Sequence, residues 1–316
     1  MNKNMSKTLE PCIWAIWTML SVLIMMFAGC AHSTDSNGFT DIEVSVTPKS
    51  EDDITVDKSI YMDPARSTKE RVDALMAQMT LEEKVAQMLQ AEQNVSKGGA
   101  SISDVTKYGI GSILNGGGSA PASGNTAKDW EKLVNAYKQA ALDSRLGIPL
   151  LYGVDAVHGH NNVLDATVFP HNIGLGATQD TDLVTRIGQI VAQEVRATGI
   201  NWTFAPTMGN PQNERWGRYY ECFGENIDLV TKMSQAYIKG LQGVLGSDDY
   251  LSSLHVAATA KHYIGEGYTK DGINQGNVDM TSEEFYTLLE DNGVLEPYKK
   301  AVEAGVQAVM ISYNSV

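Results

Sequence analysis

The chain has 316 residues and a mass of 34.3 kDa, enough for one barrel-sized domain or two small ones. A net charge of −14 and a pI near 4.8 speak against a nucleic-acid partner, because phosphate binding needs clustered Lys and Arg. An acidic surface suits a neutral ligand.

The first residues carry Lys3 and Lys7, then an apolar run from Ile13 to Ala28. That order of charge, apolar stretch and small residues reads as an export signal over 1–29 that is not part of the fold. Its end, Phe27-Ala-Gly-Cys30, resembles a bacterial lipoprotein signal. The resemblance implies that Cys30 becomes the lipid-bearing first residue of the mature chain, with the membrane as its partner and a periplasmic or outer-membrane lipoprotein location. Cys222 is then the one remaining protein thiol, so no disulfide is expected in the mature domain. Residues 30–60 are rich in Ser, Thr and Asp without an apolar period and read as a flexible tether, which leaves 61–316 as the folded domain.

Within that domain Val72, Leu75, Met76 and Met79 fall at helical spacing, and Thr80-Leu-Glu-Glu83 is a capping box that starts a second helix. Val85–Gln90 fits either a short strand or the continuation of that helix. Gly111–Asn115 predicts a strand closed by Gly116, Gly117 and Gly118. No Lys-Ser/Thr follows those glycines, so they read as a flexible loop rather than a phosphate cradle. Trp130–Arg145 predicts a helix, and Leu150–Val154 a buried strand. Asp180 caps a helix ending at Gly199; Trp202–Pro206 is a strand; Asn226 caps a helix with Leu229, Met233, Ala236 and Tyr237 on its core face. Val256–His262 is a small-residue strand. Thr281-Ser-Glu-Glu284 caps a helical region running towards Gly305, and Val306–Ser312 is the last strand.

Strands alternating with helices at this spacing predict about six parallel βα units with the helices outside. A parallel barrel closes at eight, and an unclosed one leaves the backbone groups of its last strand bare. The expected fold is therefore α/β, an incomplete (β/α)8 TIM-like barrel, forming the front part of a longer protein.

Each strand from Leu150 onward ends in polar groups. Asp155 and His158 follow one; Asn210, Asn213, Glu214, Arg215 and Arg218 follow the next; Lys261 and His262 close a third; Tyr313 and Asn314 close the last. In a barrel these ends converge on one face. Asp accepts two hydroxyls at once while Arg and Lys donate to neighbouring ones, which suits a polyhydroxylated ring, and Trp216 or Tyr313 would offer an aromatic face to its C–H surface. A metal is the competing ligand. His158 and His160, two apart, point to opposite sides if extended, and Lys261 and Arg218 would repel a cation, so no metal is expected.

Four ordered motifs carry a resemblance over about residues 61–316. They are Tyr152-Gly-Val-Asp155-Ala-Val-His158-Gly-His160-Asn-Asn162, Arg215-Trp-Gly-Arg218-Tyr-Tyr-Glu221, Ala260-Lys-His-Tyr-Ile-Gly-Glu266 with its continuation to Asn274, and Val309-Met310-Ile-Ser-Tyr313. Together they resemble glycoside hydrolase family 3, more narrowly its β-glucosidase and exo-β-glucanase branch. The resemblance implies a (β/α)8-like N-terminal domain followed by an α/β sandwich. It also implies cofactor-free retaining hydrolysis of terminal β-D-glucosyl residues from β-glucans or β-gluco-oligosaccharides. By motif, Asp155, Arg218, Lys261 and His262 would hold the glucose, with Met310 and Tyr313 near the cleavage point. The N-acetylglucosaminidase branch carries a catalytic His where this chain has Glu266, and Gln275 stands where close relatives often have an acidic residue.

A retaining glycosidase needs two carboxyl groups about 5 to 5.5 Å apart. The resemblance implies a nucleophilic Asp in a Ser-Asp-Trp motif on a later barrel strand and an acid/base from the next domain. Neither occurs before Val316. No catalytic carboxylate is therefore assigned in this chain, and the missing C-terminal domains are its expected partners. The alternative is a sugar-binding lipoprotein without catalysis.

Overall fold

The computed structural model describes residues 55–316 apart from 95 and 97. The expected export signal, the lipidation call at Cys30 and the tether up to residue 54 lie outside the described residues. Ordered packing is in place by Asp57, whose backbone is gripped from both sides by the amide of Gln78.

Two helices lead in, α1 (Thr68–Met76) and α2 (Leu81–Gln87). Then follow β1 (Gln90–Glu92), α3 (Ile102–Tyr108), β2 (Ser112–Asn115), α4 (Ala127–Leu142), β3 (Leu151–Val154), α5 (Asn172–Thr178), α6 (Thr181–Ala197) and β4 (Trp202–Thr203). The chain continues through α7 (Ile227–Gln242), β5 (Thr259–Tyr263), α8 (Ser282–Glu290), α9 (Glu296–Glu303) and β6 (Ala308–Ile311).

All strand pairs are parallel and consecutive. β1 to β4 form one sheet in chain order and β5 pairs with β6. Parallel bridges at Trp202–Ala257 and Thr207–Lys261 join the two. A monotonic strand order with helical crossovers is the topology of a barrel wall, whereas a doubly wound sheet reverses its order. The expected TIM-like α/β fold is thus observed. Among the described residues the wall is open, since no pairing joins β6 to β1.

Local chemistry starts the helices. Ser67, Thr80, Ser101, Thr126 and Thr281 each take the N3 backbone N–H on the side-chain oxygen and receive the N3 carboxylate on their own N–H. Each such box satisfies two donors that a helix start otherwise leaves bare. The Val85–Gln90 ambiguity resolves as helix to Gln87, then β1 from Gln90. The region after Thr281 is two helices, not one, broken at Gly293, whose φ of +76° a continuous helix does not allow. Helices α3 and α5 are additions to the predicted set.

Outside the wall, α6 and α7 cross at their glycines. A Cβ on Gly240 would collide with the Thr185 carbonyl oxygen and lie 2.9 Å from the Gly188 Cα, so only glycine permits this approach. Inside, Ile113, Tyr152 and Val154 with Ala258 and Ala260 are buried and hold the strand ends in fixed relative positions.

Candidate active site

The polar groups gather at the C-terminal ends of β2 to β5. Asp155 is the first residue after β3, where the strand's last buried side chain, Val154, fixes its backbone. Its Oδ1 accepts a hydrogen bond from Lys261 Nζ on β5 at 3.1 Å. Lys261 is 3% exposed, and an ammonium so placed costs several kcal/mol unless a counter-charge compensates it. Asp155 is that counter-charge.

Arg218 lies in the long loop after β4, just before the short 3₁₀ turn Tyr219–Glu221. Its Nε and Nη2 donate to both carboxylate oxygens of Glu221 at 2.8 and 2.7 Å, a two-pronged pair of the stronger kind. Burial opposes the guanidinium charge, but Glu221 outweighs it and holds Arg218 above its ordinary pKa. Burial likewise opposes ionisation of Glu221, and the field of Arg218, then of Lys261 and His262, holds its carboxyl below the usual range. Glu221 is therefore the charge that ties the Arg218 loop to the end of β5.

His262 adjoins Lys261, and its Nδ1 meets Glu266 Oε1 at 2.8 Å. Lys261 is thus paired with Asp155, Arg218 with Glu221 and the His262 ring with Glu266, and each pair leaves atoms to spare. Among the described residues Asp155 Oδ2, Arg218 Nη1 and His262 Nε2 take no hydrogen bond, and Lys261 Nζ uses one of its three hydrogens. The mixture of acceptor and donors matches vicinal hydroxyl groups, each of which both gives and takes a hydrogen bond.

The glycine loop after β2 also belongs here. A Cβ on Gly117, at φ +57°, would stand 3.0 Å from Asp155 Oδ2, and one on Gly116 would press on the Asp155 backbone nitrogen at 3.1 Å. The run read as a flexible loop is packed beside Asp155, and glycine is what the close approach requires.

The remaining sequence candidates divide. Met310 is in register with Lys261 across the β5–β6 pair. Tyr313 follows β6 at 81% exposure and touches none of the four polar residues by a hydrogen bond or ring contact. Trp216, read as a stacking face, is 1% exposed and donates its Nε1–H to Asn274, so its ring packs in the core of the loop. His158 stacks on His171 with ring centroids 3.9 Å apart, while His160 is buried against Trp130 and Thr198. Among the described residues no group of three or more His, Cys, Asp or Glu is placed to hold a metal ion. Glu221 and Glu266 stand inside the quoted motifs, but their partnership with Arg218 and His262 was missed. Their signal was the three- and four-residue spacing to Arg218 and His262.

Fold and site together define an α/β domain of the TIM-barrel kind with paired polar and charged groups at its strand ends. The model of the "Glycosyl hydrolase family 3 N terminal domain" matches residues 80–316; the chain belongs to this family. It is 44% identical to an exo-1,3/1,4-β-glucanase of a Pseudoalteromonas species, with a TM-score of 0.72 over 80% of this chain and 31% of that one. It is 37% identical to a lysosomal β-glucosidase of Dictyostelium discoideum over 61% of this chain and 25% of the relative. With a periplasmic β-glucosidase of Salmonella typhimurium it shares 31% identity over 78% of this chain and 29% of the relative. The chain therefore spans about a quarter to a third of the length of these relatives.

Proposed function

We propose that this chain is the glucose-gripping part of a retaining glycoside hydrolase that removes terminal non-reducing β-D-glucosyl residues from β-glucans or β-gluco-oligosaccharides. One observation carries the reading. Asp155, Lys261, Arg218 and His262 are each fixed through a protein partner while another polar atom or hydrogen stays uncommitted. Sugar recognition needs such pre-set groups, because ordering them on binding would consume the affinity gained. The names of the relatives, β-glucosidases and exo-β-glucanases, support the choice of sugar.

In this reading Asp155 Oδ2 accepts from ring hydroxyls and Lys261 and Arg218 donate to them. These contacts tighten as the ring flattens towards its oxocarbenium-like transition state. The nucleophile comes from further polypeptide that adds βα units beside β6, and the acid/base from the domain beyond. The bare edge of β6, with Val309 and Ile311 exposed, supports that addition. Export to the cell envelope with Cys30 as the lipid-bearing residue is part of the proposal. It rests on the Lys3, Lys7 and Ile13–Ala28 pattern and on relatives described as periplasmic, and cell fractionation checks it.

The test is Asp155→Ala in the full-length protein, assayed on an aryl β-glucoside. We expect kcat/KM to fall on the order of 10²- to 10⁴-fold, since sugar hydrogen bonds of this kind supply several kcal/mol to the transition state. An unchanged value removes Asp155 from the site. A full-length protein that binds glucose without any turnover would favour a non-catalytic sugar-binding role.

A further inference from the structure

Glu266 stands out among the carboxylates because it is buried deeply and pairs with neither Lys261 nor Arg218. It opens the 3₁₀ turn Glu266–Tyr268 after β5 and is 5% exposed. Its Oε1 meets one residue twice, at the backbone N–H of His262 at 3.2 Å and at the ring Nδ1 at 2.8 Å. Gly209 makes room for this oxygen; a Cβ there would stand 3.4 Å from Oε1 and 3.2 Å from Cys222 Sγ. The backbone of His262 is held in turn by Tyr298, whose hydroxyl donates to the His262 carbonyl oxygen at 2.9 Å.

A carboxylate oxygen that takes a backbone N–H accepts from the imidazole as well, so the ring hydrogen sits on Nδ1. The neutral ring then presents Nε2 as an acceptor. That atom has no partner among the described residues yet is not sealed from the surface, so solvent or a ligand reaches it. Lys261 precedes His262 in the chain, Glu221 lies within its field, Cys222 Sγ stands across Gly209 from Glu266, and the Tyr298 hydroxyl holds the His262 carbonyl oxygen. Burial, then the fields of Glu266 and Glu221, push the Cys222 thiol up, and burial does the same for the Tyr298 phenol, so neither competes as an anion for the ring hydrogen.

We propose that Glu266 is a positioning residue that locks His262 in the Nδ1–H form and so makes its Nε2 an acceptor for a sugar hydroxyl. Resting on the glucose-binding reading above, this deepens it. The hydroxyl gives its hydrogen to Nε2 and, with its lone pairs, takes one from a neighbouring cation, a chain of donors and acceptors running in one direction. Glu266 touches no substrate and acts through the ring. Its burial behind His262 also separates it from the catalytic role that the N-acetylglucosaminidase branch gives to the residue at this place.

The experiment is long-range proton–nitrogen NMR on the full-length protein labelled with ¹⁵N-histidine, with His262 assigned by comparison with a His262→Gln variant, followed by titration with glucose. Nδ1 of His262 is expected to carry the hydrogen, and Nε2 to shift on adding glucose. Glu266→Met removes the acceptor at similar volume; the ring should move to Nε2–H or to a mixture, with glucose affinity falling by about tenfold, the value of one good hydrogen bond. Glu266→Gln keeps an acceptor oxygen and should restore both. A wild-type ring with its hydrogen on Nε2 overturns the proposal, whether or not the variants fold. So does a folded Glu266→Met protein with unchanged tautomer and affinity. The expected tautomer with no response to glucose overturns the sugar reading and leaves the Glu266–His262 assignment standing.

Discussion

His158 and His160 stand two apart in one loop and look alike in the sequence, yet His158 stacks on His171 while His160 is sealed in the core. His160 is 0% exposed and its Nε2 lies 3.0 Å from Thr198 Oγ1. The Thr198 hydroxyl gives its own hydrogen to the Val195 carbonyl, so it accepts from the imidazole, and the hydrogen of His160 is on Nε2. Nδ1 has no partner. A second ring hydrogen would be buried without an acceptor, which is why burial pushes the pKa of His160 down to about 4 from 6.5. The unfolded chain therefore takes up the proton first as the pH falls. Stability from this group is complete above pH 6.5 and is lost progressively down to about pH 4, a loss of about 3 kcal/mol in all. Urea unfolding midpoints should drop across that window, and a His160→Gln variant should show a flatter profile; identical profiles would contradict the assignment. The strand-end residues Asp155, Lys261 and His262 were legible because polar groups after an apolar run have few structural reasons to be there. The partners Glu221 and Glu266 left only the three- and four-residue spacing to Arg218 and His262, which becomes a pairing through the short 3₁₀ turns that carry them.

At the scale of elements, what the sequence disclosed followed the reach of its signals. Capping boxes are complete within four residues, so the starts of α2 and α8 were readable from Thr80 and Thr281. Ser101 and Asp104 form the same box for α3, but with Asp in place of the Glu that marks the pattern in the sequence. Helix α5 holds two glycines in seven residues and owes its place to tertiary fit, with Gly176 so close to the Phe223 carbonyl that a Cβ would overlap it. Contacts of that kind have no local trace. The α6–α7 crossing depends on the same economy of atoms. Replacing Gly240 by Ala must push apart two helices that bury Val184, Ile187, Val191, Met233 and Tyr237. We expect a loss of about 1–3 kcal/mol, typical of overpacking, read as a lower denaturant midpoint with unchanged m-value. A wild-type midpoint would show that the crossing has slack.

For the molecule as a whole, the open wall decides what the chain does alone. Leu81, Val85 and Met88 on and after α2 and Val309 and Ile311 on β6 are exposed apolar side chains beside unpaired strand edges, surface that further barrel elements would cover. Asp155, Arg218, Lys261 and His262 lie on and between β3 and β5. The isolated chain is accordingly expected to show glucose-dependent NMR shifts at His262 while releasing no chromophore from an aryl β-glucoside. Turnover that persists through purification and disappears on replacing a carboxylate between 55 and 316 would refute this.

The ion pair between Asp155 and Lys261 spans 106 positions of sequence. A backbone severed in the segment between α7 and β5 would strand the anion on one piece and the cation on the other, each facing water with nothing to neutralise it. Recovery of that ion pair in such a two-piece protein is therefore a gauge of reassembly, because neither piece holds both of its charges.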